Sequence, residues 1–104
     1  MALVDEIVDV ALMIRGIRDA READDRLPFI MSRLEAAALA VRRLKPGRRR
    51  MPGLDHALDW AYRAAAEVPM GDDRRGQVDA AIAEVKVLVG ATGREKMPGL
   101  RSQV

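Results

Sequence analysis

Apolar residues recur at helical spacing in four separate stretches of the chain. In residues 3–21 they form a seam with nearly heptad spacing: Leu3, Ile7, Val10, Ile14 and Ile17. Four further apolar residues widen this seam: Val4, Val8, Ala11 and Leu12. A stripe of this width contacts more than one neighbour, so the pattern predicts a first helix that is central in the fold or lies at an oligomer interface.

A second helix is predicted from about Pro28 to Leu44. Residues 22–28 are predicted to form the turn before it, with Asp24 or Asp25 as the helix cap and Pro28 in the first helical turn, where its missing N–H costs little. Pro46-Gly47 would then end the helix.

Proline and glycine also delimit the third and fourth helices. Pro52-Gly53 starts the third, Pro69-Met70-Gly71 ends it, and Asp72 or Asp73 caps a fourth helix that stops at Gly90. These boundaries predict a single helical-bundle domain over residues 1–90, with one hairpin over residues 3–45 and another over 53–90. The polar residues 91–104 are predicted to be a flexible tail, poorly ordered unless it docks on a partner.

The two halves of the sequence resemble each other. Met51-Pro52-Gly53-Leu54 recurs as Met97-Pro98-Gly99-Leu100, and Asp24-Asp25-Arg26 is echoed by Asp72-Asp73-Arg74. One interpretation is an internal duplication, which would give a pseudo-twofold bundle; the other is that Ala-rich amphipathic helices resemble one another by composition. Under either interpretation the fold class is all-α, a four-helix bundle made of two antiparallel hairpins, because short connections make sequential helices antiparallel neighbours.

Composition narrows the classes of protein that fit. A chain of 104 residues suits one domain, and the absence of cysteine excludes disulfides, thiolate catalysis and cysteine-based zinc sites. Acidic residues interrupt the apolar N-terminal stretch, which is therefore not a targeting signal, and no apolar run is long enough for a membrane span. We expect a cytoplasmic protein without a membrane partner.

The densest charge is a basic run in the middle of the chain. Six cations fall within nine residues: Arg42, Arg43, Lys45, Arg48, Arg49 and Arg50. Such a patch can bind the phosphates of a nucleic acid by counterion release and bidentate Arg contacts. The alternative is a solvated helix end whose bases complement the helix dipole. No aromatic residue lies within the run to stack on bases, which weakens the case for single strands.

Asp55, His56 and Asp59 are the one combination with the spacing of metal ligands or of an acid–base pair. If the halves are related, Asp5 and Asp9 occupy the matching places in the first helix. Acids in a first helical turn are also favoured by the helix dipole, and three residues do not complete a ligand set. We therefore predict no metal, cofactor or catalytic residue, and keep a metal-dependent hydrolase as a remote alternative.

Large apolar residues indicate binding to protein. We predict an interface that includes Ile7 and Ile14 of the wide first stripe together with the aromatic residues Trp60 and Tyr62, since buried aromatics dominate interface energetics. The function predicted from the sequence is a small non-enzymatic interaction module, a self-associating adaptor or regulator that forms a homodimer and binds a protein partner. The alternative is a nucleic-acid-binding accessory or regulatory protein that uses the basic run.

Overall fold

Four α-helices and short connections make up residues 3–90, the part of the chain that the computed structural model describes. The helices are α1 (Leu3–Arg15), α2 (Ala20–Arg43), α3 (Leu54–Glu67) and α4 (Asp72–Gly90). A short 3-10 helix, Pro46–Arg48, lies between α2 and α3. No strand occurs between residues 3 and 90, and the predicted all-α fold is confirmed. The predicted tail, 91–104, lies outside the described residues.

The first turn lies earlier in the chain than the apolar pattern predicts. α1 ends at Arg15 and the turn covers residues 16–19, whereas the spacing predicted a helix to residue 21 and a turn over 22–28. Ile17 explains the error. Its side chain is buried although it lies in the turn, so it continues the apolar seam past the end of the helix.

Side-chain capping fixes where α2 begins. The Asp19 side chain accepts a hydrogen bond from the Glu22 N–H at 2.9 Å, and the Glu22 carboxylate accepts one from the Arg18 backbone N–H at 2.7 Å. The arrangement is close to a capping box, in which two otherwise unpaired N–H groups find acceptors. The prediction that Asp24 or Asp25 caps this helix was therefore wrong.

Pro28 lies well inside α2 and not in its first turn. Proline has no N–H, so the carbonyl of Asp24, four residues earlier, lacks its usual helical partner. Pro28 and Asp24 are both exposed, which gives water access to this side of the helix. Capping at the N-terminus and burial along the helix outweigh the local preference of proline for a helix start.

The second hairpin begins and ends close to the predicted positions. The prediction that Asp72 or Asp73 caps α4 was wrong, because both residues lie in its first turn and Gly71 precedes it. α3 begins directly after Gly53, whose φ of 82° lies in the left-handed region that favours glycine. α3 ends at Glu67, before Pro69, and α4 begins after Gly71, whose φ is 90°. These boundaries depend on backbone preferences that do not require knowledge of the rest of the fold.

The two hairpins pack side by side in the same direction. α1 contacts α2 and α3, while α4 contacts α2 and α3. Arg15 at the end of α1 forms an ion pair with Glu67 at the end of α3, and Arg74 near the start of α4 forms one with Asp24 near the start of α2. Thus α1 is parallel to α3, and α2 is parallel to α4.

This arrangement differs from the pseudo-twofold bundle expected for a duplicated hairpin. A twofold axis along the bundle would place α1 and α3 on one diagonal and α2 and α4 on the other, and an axis across the bundle would make each pair antiparallel. Here both pairs are parallel neighbours. One hairpin is therefore related to the other mainly by a sideways translation.

The core between the hairpins is entirely apolar. Its largest fully buried side chains come from all four helices and from the turn between α3 and α4: Ile7, Ile14, Ile30, Leu34, Leu54, Leu58, Met70 and Ile82. No polar or charged residue between 3 and 90 is buried as a whole. Buried alanines line α3, and small side chains of this kind let helices approach closely. None of the helices in this part of the chain combines the length and apolar character needed to cross a lipid bilayer.

Candidate interaction surfaces

The basic run lies at one end of the bundle, on the last turn of α2 and the connection to α3. Two of its six residues contact the bundle itself. Arg42 Nη2 donates to Glu84 of α4 at 2.5 Å. Arg49 folds back on the end of α2, where its Nε donates to the Leu44 carbonyl and its Nη2 to the Arg42 carbonyl, both at 3.2 Å. Arg49 thus satisfies carbonyl groups that a helix C-terminus leaves without intrahelical partners.

The other four cations of the run point into solvent. Arg43, Lys45, Arg48 and Arg50 are exposed, and none of them has an ion pair with a residue between 3 and 90. We call these four residues the basic end. The structure therefore brings four of the six predicted cations together as an open positive surface and assigns Arg42 and Arg49 to contacts within the fold.

The acidic combination at the start of α3 is also exposed. Asp59 forms an ion pair with Lys86 of α4, and that hydrogen bond and charge lower the pKa of Asp59. In the matching part of α1, Asp9 lies 3.7 Å from Arg33 of α2. Across residues 3–90 no group of three or more histidine, aspartate or glutamate side chains is placed to hold a metal ion. Asp59 and Asp9 instead join neighbouring helices.

The four predicted interface residues lie in different surroundings. Ile7 and Ile14 are fully buried in the core, so a partner of the folded bundle cannot contact them. Trp60 is 36% exposed and Tyr62 is 50% exposed. These two are separated by two positions on α3, which places them on nearly opposite sides of the helix: Trp60 faces the α1 side and Tyr62 the α4 side.

Trp60 belongs to an apolar surface that spans two helices. Arg15 and Glu67 on the outer side of α1 and α3 form an ion pair at 3.6 Å. Leu12 lies one turn before Arg15 and Trp60 two turns before Glu67, so both belong to this outer side. Leu12 is 53% exposed, and Val8, one turn earlier on α1, is half-buried against the core. We call this surface the α1–α3 face.

Leu12 is exposed, although the sequence places it in the wide apolar stripe of α1. Its side chain lies on the solvent side of that stripe. The signal was present in the spacing. The buried positions Ile7, Val10 and Ile14 define a narrow face, and Leu12 falls well outside it. The rest of the wide stripe is used within the chain, against α2 and α3.

Other exposed apolar residues and two shallow grooves lie on the remaining faces. Phe29, Leu39 and Val87 are exposed on α2 and α4. A groove of about 260 Å³ lies between α1 and α2, where three alanines and Leu3 line it together with the Arg33–Glu6 ion pair. A second groove of about 310 Å³ lies between α2 and α4. Neither groove collects a set of converging ionisable groups.

One carboxylate is poorly satisfied. Asp79 Oδ1 on α4 is buried and has no hydrogen-bond partner among the described residues. Burial raises the pKa of Asp79, and the charge of Arg75 partly opposes the change. Within residues 3–90, Asp79 is not part of any group of three or more such side chains that could hold a metal ion.

Comparison of the chain with models of known protein families, with curated proteins and with solved structures finds no match.

Proposed function

We propose that this chain is a small non-enzymatic interaction module of the cytoplasm, which forms a homodimer and binds a further protein as an adaptor or regulator. The observation that carries the proposal is the α1–α3 face, where Leu12 and Trp60 are exposed on neighbouring helices. Single exposed apolar residues are common on protein surfaces, whereas tryptophan is enriched among the residues that contribute most to protein–protein binding.

The remaining exposed apolar residues provide a second surface to which another protein could bind. Phe29 on α2 is 66% exposed, and Tyr62 lies on the side of α3 that faces away from Trp60. A dimer formed through the α1–α3 face would leave both of these aromatic side chains accessible. We therefore assign self-association and the binding of another protein to different faces of the bundle.

Sedimentation equilibrium of the purified full chain over a roughly hundredfold range of concentration tests self-association. We expect the weight-average mass to rise from that of the monomer to that of the dimer as the concentration increases. A mass that stays at the monomer value across the whole range would contradict this part of the proposal.

The second candidate function is nucleic-acid binding through the basic end. The observation that favours it is that Arg43, Lys45, Arg48 and Arg50 are exposed together without ion pairs between residues 3 and 90. Cations that are not already paired can each replace a counterion on a phosphate, whereas Arg42 would first have to leave Glu84.

Binding of a duplex to the full chain, measured as a function of salt, tests this second candidate. The log of the affinity should fall linearly with the log of the salt concentration, and Arg48→Ala with Arg50→Ala should reduce the slope by about 2. Arg21→Ala with Arg75→Ala removes the same charge at the opposite end of the bundle and should leave the slope almost unchanged. Absence of binding at low salt would end this candidate.

A further inference from the structure

Basic residues without a partner are concentrated at the basic end. Outside it, Arg21 and Arg63 are the only basic residues between 3 and 90 that donate to neither a carboxylate nor a carbonyl group. The four cations of the basic end have no such partner in this range, and no acidic residue occurs between positions 42 and 53. The fold thus pairs most of its positive charge and leaves this one cluster open.

The connection that carries these cations crosses the end of the bundle. α2 and α3 lie on a diagonal, because each of them contacts both α1 and α4, so residues 44–53 pass over the end from one helix to the other. Within the connection the Arg48 N–H donates to the Lys45 carbonyl at 2.8 Å. A turn of this kind places the two Cα atoms within about 7 Å, and Pro46 restricts its backbone. Lys45 and Arg48 are therefore held close together on a stiff turn.

Arg49 holds the connection against α2. Its guanidinium donates to the carbonyl groups of Leu44 and Arg42, so two of its nitrogen atoms are already bonded within the fold. The neighbouring side chains of Arg48 and Arg50 are exposed and unbonded in the described part of the chain. Contacts that order a site before its ligand arrives reduce the entropy that binding costs. Arg49 therefore orders the cations on either side of it.

We propose that the basic end binds the phosphate backbone of a nucleic-acid duplex without reading its sequence, with Arg49 as a positioning residue. This inference rests on the second candidate function above and adds the form of the nucleic acid and the roles of Arg49 and Glu84. Arginine and lysine are the only hydrogen-bonding side chains in residues 42–53. Contacts to phosphate oxygens fix a protein on a duplex and carry no sequence information.

The lack of an aromatic side chain selects a duplex over a single strand. Proteins that bind single strands stack the bases on aromatic residues, and residues 42–53 contain none. The first aromatic residue after them is Trp60, about 9 Å along α3 from its start at Leu54. A duplex keeps its bases paired and presents phosphates at a regular spacing, so cations alone are enough to bind it.

Acidic residues limit the site on two sides. Val4 lies beside Gly53, so the first turns of α1 and α3, with the exposed Asp5 and Asp55, lie at the same end as the cations. Like charge keeps phosphates away from this side and directs the duplex over the connection and the end of α2.

On the opposite side Glu84 withholds Arg42 from the site. Arg42 directly precedes Arg43 at the end of α2, but its Nη2 donates to the Glu84 carboxylate of α4. The salt dependence of binding reports how many cations reach phosphates. The fold therefore offers four contacts, and removal of Glu84 should provide a fifth.

Fluorescence anisotropy of short labelled duplexes with the full chain, measured as a function of salt, tests the proposal. Four phosphate contacts predict a slope of about −3.6 for log affinity against log salt on DNA. Two duplexes of unrelated sequence should bind with the same affinity within about threefold, and a single strand should bind more weakly. DNA and RNA duplexes of one sequence form the two arms. Binding to either supports the proposal, and the tighter arm identifies the source of the phosphates.

Three variants test the named roles, with circular dichroism to show that each one folds. Arg48→Ala should reduce the slope by about 1. Arg49→Ala removes the same charge one residue later, but it should leave the slope unchanged and weaken binding about fivefold, and Arg49→Lys should restore part of the affinity. Glu84→Ala should steepen the slope by about 1, because it frees Arg42. Glu35→Ala, at an exposed acid of α2 without an ion pair in the described residues, is its control and should not change the slope.

The outcomes separate this inference from the second candidate function. Absence of binding to both duplexes at low salt would overturn both. Affinities that differ by more than about tenfold between the two sequences, or tighter binding of the single strand, would overturn this inference and leave nucleic-acid binding standing. A slope that falls in Arg49→Ala as it does in Arg48→Ala would overturn the positioning role of Arg49. An unchanged slope in Glu84→Ala would overturn the role of Glu84.

Discussion

The turn between α1 and α2 (the first turn) and the turn between α3 and α4 (the second turn) share one side-chain contact but differ in backbone conformation. In both, an arginine from the second helix of the hairpin lies against a glycine of the turn and donates from Nη1 to a methionine carbonyl at 2.8 Å. The pairs are Arg26 with Met13 and Arg74 with Met70. A charged donor thus binds a carbonyl group near the end of the preceding helix in each hairpin.

The backbones of the two turns are specified in different ways. The second turn contains Pro69 and Gly71, and the φ of Gly71 is 90°, a conformation that only glycine adopts without strain. The first turn has no proline, its Gly16 has no positive φ, and the Asp19 cap fixes its end. The second turn is therefore encoded by residues with strong backbone preferences, above all a glycine at positive φ, and the first by side-chain contacts that form with the turn.

The largest expected effect comes from Pro28→Ala, which tests whether the first turn is fixed by the Asp19 cap. If this cap starts α2 despite the preference of proline for a first helical turn, the variant should raise the free energy of unfolding by about 2 kcal/mol. An interior proline costs about 3 kcal/mol in a helix, and its rigidity in the unfolded chain returns up to about 1 kcal/mol. Urea unfolding followed by circular dichroism measures the change. Ser32→Ala, at an exposed position of α2, should change stability by less than about 0.5 kcal/mol. A destabilised Pro28→Ala variant would mean that α2 starts at the proline.

The glycines of the two turns should respond differently to alanine. Gly71→Ala should cost about 1.5 kcal/mol, because an L-residue is strained at positive φ. Gly16→Ala should cost less than about 1 kcal/mol, because the new Cβ would meet only the end of the flexible Arg26 side chain and displace its single hydrogen bond. Thermal and urea unfolding of the two variants provide the comparison.

Removing each arginine separates backbone strain from side-chain crowding. In an Arg26→Leu background Gly16→Ala should become neutral or slightly stabilising, because alanine lowers the entropy of the unfolded chain. In an Arg74→Leu background Gly71→Ala should stay destabilising, because its cost lies in the backbone. If Gly16→Ala in the Arg26→Leu background and Gly71→Ala in the Arg74→Leu background were equally destabilising, the two turns would not differ in backbone strain.

The sequence predicted the second turn better than the first, because the two turns are specified in different ways. The helical periods and the breaker residues predicted four helices, the second hairpin and both of its boundaries, because these signals are local. The first turn was misplaced because Pro28 suggested a start and Ile17 prolonged the apolar seam. The Asp19-Ala20-Arg21-Glu22 stretch carried the capping signature that marks the true start.

Surface predictions depended on contacts between distant parts of the chain. The six clustered cations were visible in the sequence, but the assignment of Arg42 to Glu84 and of Arg49 to the end of α2 required the packed bundle. In the same way, the parallel packing of α1 against α3 brings Leu12 and Trp60 to one face. No spacing within either helix contains that information.

The smallest expected effect is a pH dependence specific to the first turn. Hydrogen bonds from the Arg18 side chain and backbone lower the pKa of Glu22 from 4.5 to about 2. The fold favours the ionised carboxylate, so its contribution to stability is fully present above pH 4.5 and is lost as the pH falls through about 2.

Glu22→Gln removes this contribution. The difference in unfolding free energy between the wild-type chain and this variant should be constant near neutral pH and shrink between pH 4.5 and about 2. Urea unfolding over that range measures it, with Glu35→Gln on the exposed side of α2 as the control for the loss of a carboxylate. A wild-type advantage over Glu22→Gln that stays the same at every pH would show that the contacts of the Glu22 carboxylate with Arg18 do not depend on the Glu22 charge.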